Sequence, residues 1–331
     1  MSWLSNTNPV LVKELRGRMR GGRAFVILTV FLLVLAIPTT LLYMVVAENT
    51  GFNAFDASST IGKTLFIGVV VIALIQILIV VPGQAASALT SEKERETYDL
   101  LISTLLPPWK IVIGKLLAAL AYAVMLIIAV IPFMAVSFFF GGVSVQEFVL
   151  ALVGLLVTVI LFGSSGILWS TIMRRSLAST IVTQAVTAGV LLGIPFLMVI
   201  FYLLFLSDWP QPAWVDDRPF VYGWLVFMSF HPFIALGSSE ALLSAGITDL
   251  LVPADQAING ALLLPFNGGQ ELDYRVPQPW LVYTIEALVV SAILILLSIR
   301  LLRPINEGPR RGKRKHSQAG TVPGADAQRA A

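Results

Sequence analysis

The sequence contains no cysteine, only two histidines and few charges, with 12% of its 331 residues being Asp, Glu, Lys or Arg. Without cysteine there are no disulfides, thiol nucleophiles or thiolate metal sites. His231 and His316 stand far apart, and no His/Asp/Glu cluster has metal-ligand spacing. Ser164–Ser165 sits in an apolar run without a histidine base, which suits helix packing better than catalysis. Ala57–Thr64 fits a loose phosphate-loop pattern, but no strand precedes it, and such a loop belongs between a buried strand and a helix. Asn267–Gln270 reads as a turn. With a net charge of +3, the chain as a whole is no nucleic-acid binder.

What the sequence has is apolar length. Hydrophobic residues make up 57% of it, whereas soluble domains carry about 25% charged residues and hide a smaller apolar share. Lipid is therefore the expected solvent. Runs of roughly 20 apolar residues read as membrane-spanning helices, and six fit: Ala24–Val46 with Pro38 inside, Thr64–Ala86, Leu116–Phe140, Phe148–Trp169, Leu177–Leu206 with a bend or tilt at Gly193–Pro195, and Trp280–Leu302. The first run is too long for a signal peptide and lacks a small-residue cleavage site, so it is expected to stay as an anchor.

The basic residues predict sidedness. With the N-terminus inside, nineteen Lys and Arg fall on inner segments, and only Lys63, Arg218 and Arg275 fall outside. This gives an all-α fold with both termini cytoplasmic. Residues 1–23 form an interfacial helix, 24–302 the six-helix domain, and 303–331 a disordered basic tail suited to anionic lipid. Within the domain, 87–115 is a cytosolic loop and 207–279 an outer segment. The aromatic stretch Phe220–Ile247 reads as a packed cap or as short helices dipping in from outside; a seventh span would put Arg300–Lys315 on the wrong side.

Two elements look built for a neighbour. Near the N-terminus, Asn8 and Pro9 suit a helix start, and Lys13, Arg16, Arg20 and Arg23 line one stripe beside Leu11, Val12, Leu15 and Met19. In the inner loop, Ser91 and Glu94 predict a capping box, Glu92, Glu94 and Glu96 favour a helix N-terminus, and Leu100, Leu101 and Leu105 form an apolar face. Pro107–Pro108 stops that helix and a new one starts at Trp109, leaving Leu105, Leu106 and Trp109 on a rigid corner. Glu286 is the one acid in a clear span, and it suits either a substrate role or a structural contact with water or a hydroxyl such as Thr284.

At these residues the chain resembles the transmembrane subunits of type-2 ATP-binding-cassette (ABC) exporters, over roughly residues 6–303. Their inner loop reads like Glu-Arg-Glu-x-Gly-Thr-x-Glu-Leu-Leu-x-(Ser/Thr)-x-Pro followed by Trp-x-Ile-x-x-Gly-Lys, which Glu92–Leu101, Ser103–Leu106 and Trp109–Lys115 largely match. Asn8-Pro9 with Glu14, Leu15, Arg18 and Arg20, and His231-Pro232-Phe233, are similar too. Glu96 departs from the usual glycine and Leu106 from an earlier proline.

The resemblance implies that residues 98–112 couple to a separate ABC ATPase. Its contact set would be Glu94, Thr97, Tyr98, Leu101, Leu105, Leu106, Trp109 and Lys110, with the N-terminal helix (Lys13, Leu15, Arg16, Arg20) beside it. It further implies a permease of the cell inner membrane that pairs as a homodimer or with a paralogue. ATP and Mg would be bound by the partner ATPase and no cofactor by this chain. A secondary transporter needs coupling acids or repeated broken helices; the spans hold one acid and no convincing internal repeat. A non-transporting membrane assembly factor would share the same sequence features.

Overall fold

The computed structural model describes residues 22–49, 54–98, 107–206, 214, 217–254, 256–257 and 273–302. Helices α1 (Gly22–Asn49) and α2 (Ala54–Ala86) are followed by a five-residue helix α3 (Thr90–Glu94). Next come α4 (Pro108–Phe140), α5 (Val145–Ile172) and α6 (Ser176–Phe201), the last ending in a π-helical turn, Tyr202–Leu206. Two short helices, α7 (Arg218–Ser229) and α8 (Pro232–Ser244), a ribbon of β1 (Leu251–Pro253) and β2 (Arg275–Pro277), and α9 (Pro279–Leu301) complete the described fold.

Six of these helices are long and apolar enough to cross a membrane, and each coincides with one of the runs read from sequence, α9 ending one residue before Leu302. The largest difference is α2, which starts ten residues before Thr64. That polar extension is held at the cap end of the bundle: the Ser58 hydroxyl donates to the Phe140 carbonyl at 2.6 Å, and Lys63 pairs with Glu147 at 3.3 Å. Residues 57–64 are thus part of a helix and not a phosphate loop. Gly141 and Gly142 turn the chain from α4 to α5 with φ of 84° and 78°, and this turn lies directly on α2. A side chain at Gly142 would meet the Ser59 carbonyl and one at Gly62 the Gly141 carbonyl.

The core lies where α2, α4 and α5 meet, with α9 packed on α5. Leu35, Leu74, Ile77, Leu126, Met134 and Leu155 are fully buried there. Lipid offers no hydrophobic drive between helices, so close approach has to come from small residues. At Gly166 of α5 a β-carbon would sit 2.7 Å from the Pro82 carbonyl of α2. The neighbouring Ser164 is buried, and its hydroxyl donates to the Ile160 carbonyl one turn back. This matches the packing role read for Ser164–Ser165. Tyr283 of α9 bonds Thr158 of α5 at 2.7 Å within the core.

The described residues between α6 and α9 form two short helices and a two-stranded ribbon, a cap whose bend reaches α6 mid-helix. Its arms α7 and α8 meet at 115°. Each is about 18–20 Å long at 1.5 Å per residue, too short to cross a hydrocarbon core of about 30 Å. The pair therefore turns back and does not form a straight seventh span. The bend is fixed to α6 by a backbone defect. Pro195 has no N–H for the carbonyl of Leu191, four residues earlier. The His231 ring supplies the missing donor, its Nε2 standing 3.1 Å from that oxygen while its Nδ1 accepts the Ile234 N–H and caps α8. Those two bonds define the neutral Nε2–H tautomer. The ribbon pairs Val252 with Val276 over a cluster of Val221, Trp224, Leu225 and Met228. The buried Gln278 amide donates to the Ile247 and Asp249 carbonyls, fastening the ribbon to the start of α9.

Three substitutions test this packing. Gly166→Val drives a methyl into the α2 backbone and is expected to destabilise by about 2 kcal/mol, whereas Gly189→Val enters open space and leaves the melting temperature unchanged. His231→Phe keeps the ring but strands the Leu191 carbonyl, at a cost of about 1–3 kcal/mol. Thermal unfolding of the purified protein reads each, and a Gly166→Val protein as stable as Gly189→Val contradicts the packing.

Candidate functional site

A network of polar side chains lies at the end opposite the cap, where α2 leads through α3 toward α4 and where α5 turns into α6. Adjacent residues of α3 carry opposite charges, and each meets the helix end of complementary sign. The Lys93 ammonium donates to the carbonyls of Ser170, Thr171 and Met173, at 3.0, 2.6 and 2.8 Å, at the C-terminus of α5. The Glu94 carboxylate accepts the Ser176 N–H at 2.7 Å and the Ser176 hydroxyl at 2.8 Å, capping α6. A cation at the C-terminus of a helix and an anion at an N-terminus are both favoured by the aligned peptide dipoles. Glu94 itself is exposed.

Three further contacts fix α3. The Ser170 hydroxyl oxygen accepts the N–H groups of Leu89 and Thr90, at 2.7 and 3.1 Å. Lys115 of α4, 2% exposed, donates to the Ala88 carbonyl at 2.7 Å and stands 3.5 Å from the Glu92 carboxylate. The Thr97 N–H donates to the Glu92 carbonyl at 3.0 Å, and its hydroxyl reaches the Glu92 carboxylate. Tyr98, 3% exposed, packs with Leu89, Ile111, Val112 and Leu116, and Lys93 lies over its ring. Four helices, α2, α4, α5 and α6, thus converge on one short element.

This arrangement corrects the sequence reading in two places. The Ser91–Glu94 capping box is not formed: α3 begins at Thr90 without a side-chain cap, because Glu94 is engaged by α6. Nor does one helix run from Ser91 to the proline corner. The chain breaks after Glu94, and Glu96 has φ 58°, the one non-glycine residue among those described with positive φ. This is the position where the resembled motif has glycine, and the left-handed backbone gives the reason, since a β-carbon there costs about 1 kcal/mol. The proline corner itself is as expected: Pro107 is extended and precedes α4, and Pro108 occupies its first turn. Trp109 is 48% exposed and lies beneath the Lys110 ammonium.

Of the sequence-derived contact set, Glu94, Thr97, Tyr98, Trp109 and Lys110 fall at this end. Leu101, Leu105 and Leu106 lie outside the described residues, as do Lys13, Leu15, Arg16 and Arg20 of the N-terminal helix and the basic tail. Lys93, Lys115, Ser170 and Ser176 were not singled out individually. The signal for two of them was the motif itself, whose Glu-Arg-Glu and terminal Lys correspond to Glu92–Lys93–Glu94 and Lys115. Glu286 stands apart, on α9 well away from α3. Thr284 donates to the Trp280 carbonyl and not to Glu286, and neither Glu286 oxygen has a hydrogen-bond partner among the described residues.

The junction is testable by local exchange and by stability. Lys93→Met and Glu94→Ala are each expected to speed amide hydrogen exchange over residues 173–178 while leaving the middle of α5 protected. Unchanged exchange there refutes the two-ended cap. Glu96→Gly is expected to match or exceed wild-type thermal stability, while Glu96→Val, β-branched at positive φ, loses about 1–2 kcal/mol. Equal stability of the two variants contradicts the strain.

Among the curated proteins searched, none matches the chain. A family model described as "ABC-2 family transporter protein" matches residues 9–299, covering the six spanning helices, the α3 junction and the cap. The chain belongs to this family and is the membrane-embedded permease component of an ABC transporter.

Proposed function

We propose that the chain is the permease of an exporter driven by ATP hydrolysis on a separate ABC ATPase, with residues 98–112 as the docking segment. The observation that carries this is the α3 junction. Lys93 and Glu94 tie α3 to the ends of both α5 and α6, so a force that reaches α3 is passed to both. The buried Lys115 contact to the Ala88 carbonyl ties the same element to α4. A rigid element of this kind can turn a motor's closure into tilting of several helices at once. The half-exposed Trp109 beside it is apolar surface suited to burial by a partner.

In this reading ATP and Mg are bound by the partner chain. The termini and the α3 end face the cytoplasm, as the lysine and arginine distribution requires, and the protein resides in the plasma membrane. Two copies, or one copy and a paralogue, pair to enclose the path, with α2 and α6 as its walls. Most of α6 is uncovered in the single chain, leaving a face for that pairing.

The test is co-purification from the native host in lipid, followed by ATP hydrolysis measurements. Wild-type chain is expected to bring down an ABC ATPase. Trp109→Asp, alone and combined with Leu105→Asp or Leu106→Asp, is expected to lose the ATPase while the permease stays folded. ATPase retention and ATP-driven flux by all three variants would refute the docking assignment.

A further inference from the structure

The cap end holds a site that the junction does not explain. Between α6, α7 and α9 lies a cleft of about 660 Å³. Gly189 and Gly193 of α6 form one side, and a β-carbon at either would meet nothing within 4 Å, so the space beside them is empty. Phe227 and Phe230 of α7 form the second side, and α9 supplies Val290 and Glu286. A second cleft of about 480 Å³ shares Leu197 and Phe227 with the first and continues between α6 and α7, past Phe201, Phe220 and Trp224. Among the described residues, Glu286 is the only ionisable side chain lining either cleft.

The position of Glu286 is set by its helix. Tyr283 and Ala287 turn to α5 and are fully buried in the core, which leaves Glu286 on the face toward α6 and α7. Both of its oxygens are covered and have no hydrogen-bond partner among the described residues, so the carboxyl meets a ligand in the cleft by rotating toward it. A carboxyl among apolar walls at membrane depth is costly to ionise unless a cation pairs with it. Aromatic ring faces attract cations and disfavour anions, and Phe227 and Phe230 line the same cleft as Glu286. The elongated apolar extension suits a ligand whose charge sits at one end of a hydrophobic body.

We infer that the α6–α7–α9 cleft binds a hydrophobic cation, with its onium group against Glu286 and its apolar body along Phe227 into the aromatic extension. This deepens the permease reading by naming the chemical class of its cargo. Binding itself requires no motor, so it stands or falls separately from ATPase docking.

Tetraphenylphosphonium and tetraphenylborate are matched probes, alike in size and apolarity and opposite in charge. Equilibrium binding of each is measured on the purified full-length chain in lipid nanodiscs, against empty nanodiscs. Wild type is expected to bind tetraphenylphosphonium saturably and to give no saturable tetraphenylborate signal. Glu286→Gln is expected to weaken cation binding about thirtyfold or more, with Glu286→Asp intermediate. Gly193→Leu fills the cleft without touching Glu286 and is expected to abolish binding, which keeps the test valid should the glutamine variant fold poorly. Equal binding of the two ions, or wild-type affinity in Glu286→Gln, would overturn the proposal. So would an absence of cation binding with Gly193→Leu dissociating a dimer, which would make the cleft a contact between two copies. ATPase co-purification by Glu286→Gln reports separately on the permease reading.

Discussion

Two adjacent side chains of opposite sign, Lys93 and Glu94, meet the end of one long helix and the start of the next, and the organisation of the loop end of the bundle depends on that match. The α5–α6 corner exposes carbonyls that α5 leaves unpaired and N–H groups that α6 leaves unpaired. A neutral loop could satisfy these groups only with water. The three carbonyl contacts of Lys93 and the paired contacts of Glu94 to Ser176 satisfy them with protein. The corner is thereby joined to α2, which carries α3 at its end, and through Lys115 to α4. Opposite charges on consecutive residues are unremarkable in a sequence; their meaning comes from two helix ends being brought within reach of both.

The same requirement, that backbone polar groups out of water find partners, organises the cap. Pro195 frees a carbonyl within α6, and His231 at the α7–α8 bend answers it. The proline does not break the helix, because a side chain from elsewhere takes over the missing donor. The cap is thus fastened to α6 near the middle of that helix, and α7 lies along it to form the cleft facing Glu286. The two ends of the molecule are built on one principle: a helix terminus or a helix defect creates the unmet polar group, and a residue distant in sequence meets it.

The bundle was legible in the sequence because spanning a hydrocarbon core demands length and apolarity, which show without tertiary knowledge. All six runs coincide with observed helices to within three residues at each end, except that α4 starts eight residues early and α2 ten. There, polar residues before Thr64 continue the helix because Ser58 and Lys63 find partners on α4 and α5, contacts that no local pattern reveals. The capping box failed for a related reason. Ser91 and Glu94 have the local spacing for it, but α6 offers Glu94 a stronger pair of donors. Glu96 was visible as a departure from a glycine position, though only the backbone angle shows what the glycine is for. The pairing of Pro195 with His231, 36 positions apart, needs the fold to be seen. The pattern rules for Glu286 flagged an acid in a span; its lack of a partner and the empty space beside it are tertiary facts.

The central claim is that α3 and the α5–α6 corner move as one body. The absence of native cysteine makes this directly measurable, since two introduced cysteines are the only labelling sites. Arg95 and Leu177 are exposed on either side of the junction. With spin labels at Arg95→Cys and Leu177→Cys in the proposed assembly of two permeases with their ATPase, the intrachain distance is expected to stay narrow and constant between nucleotide-free and ATP-bound states. The distance between the Leu177→Cys positions of the two paired permeases is expected to change. An intrachain distance that broadens or shifts with ATP while the distance between permeases holds would show that the loop slides past the helices, and the clamp would not be what transmits the motion.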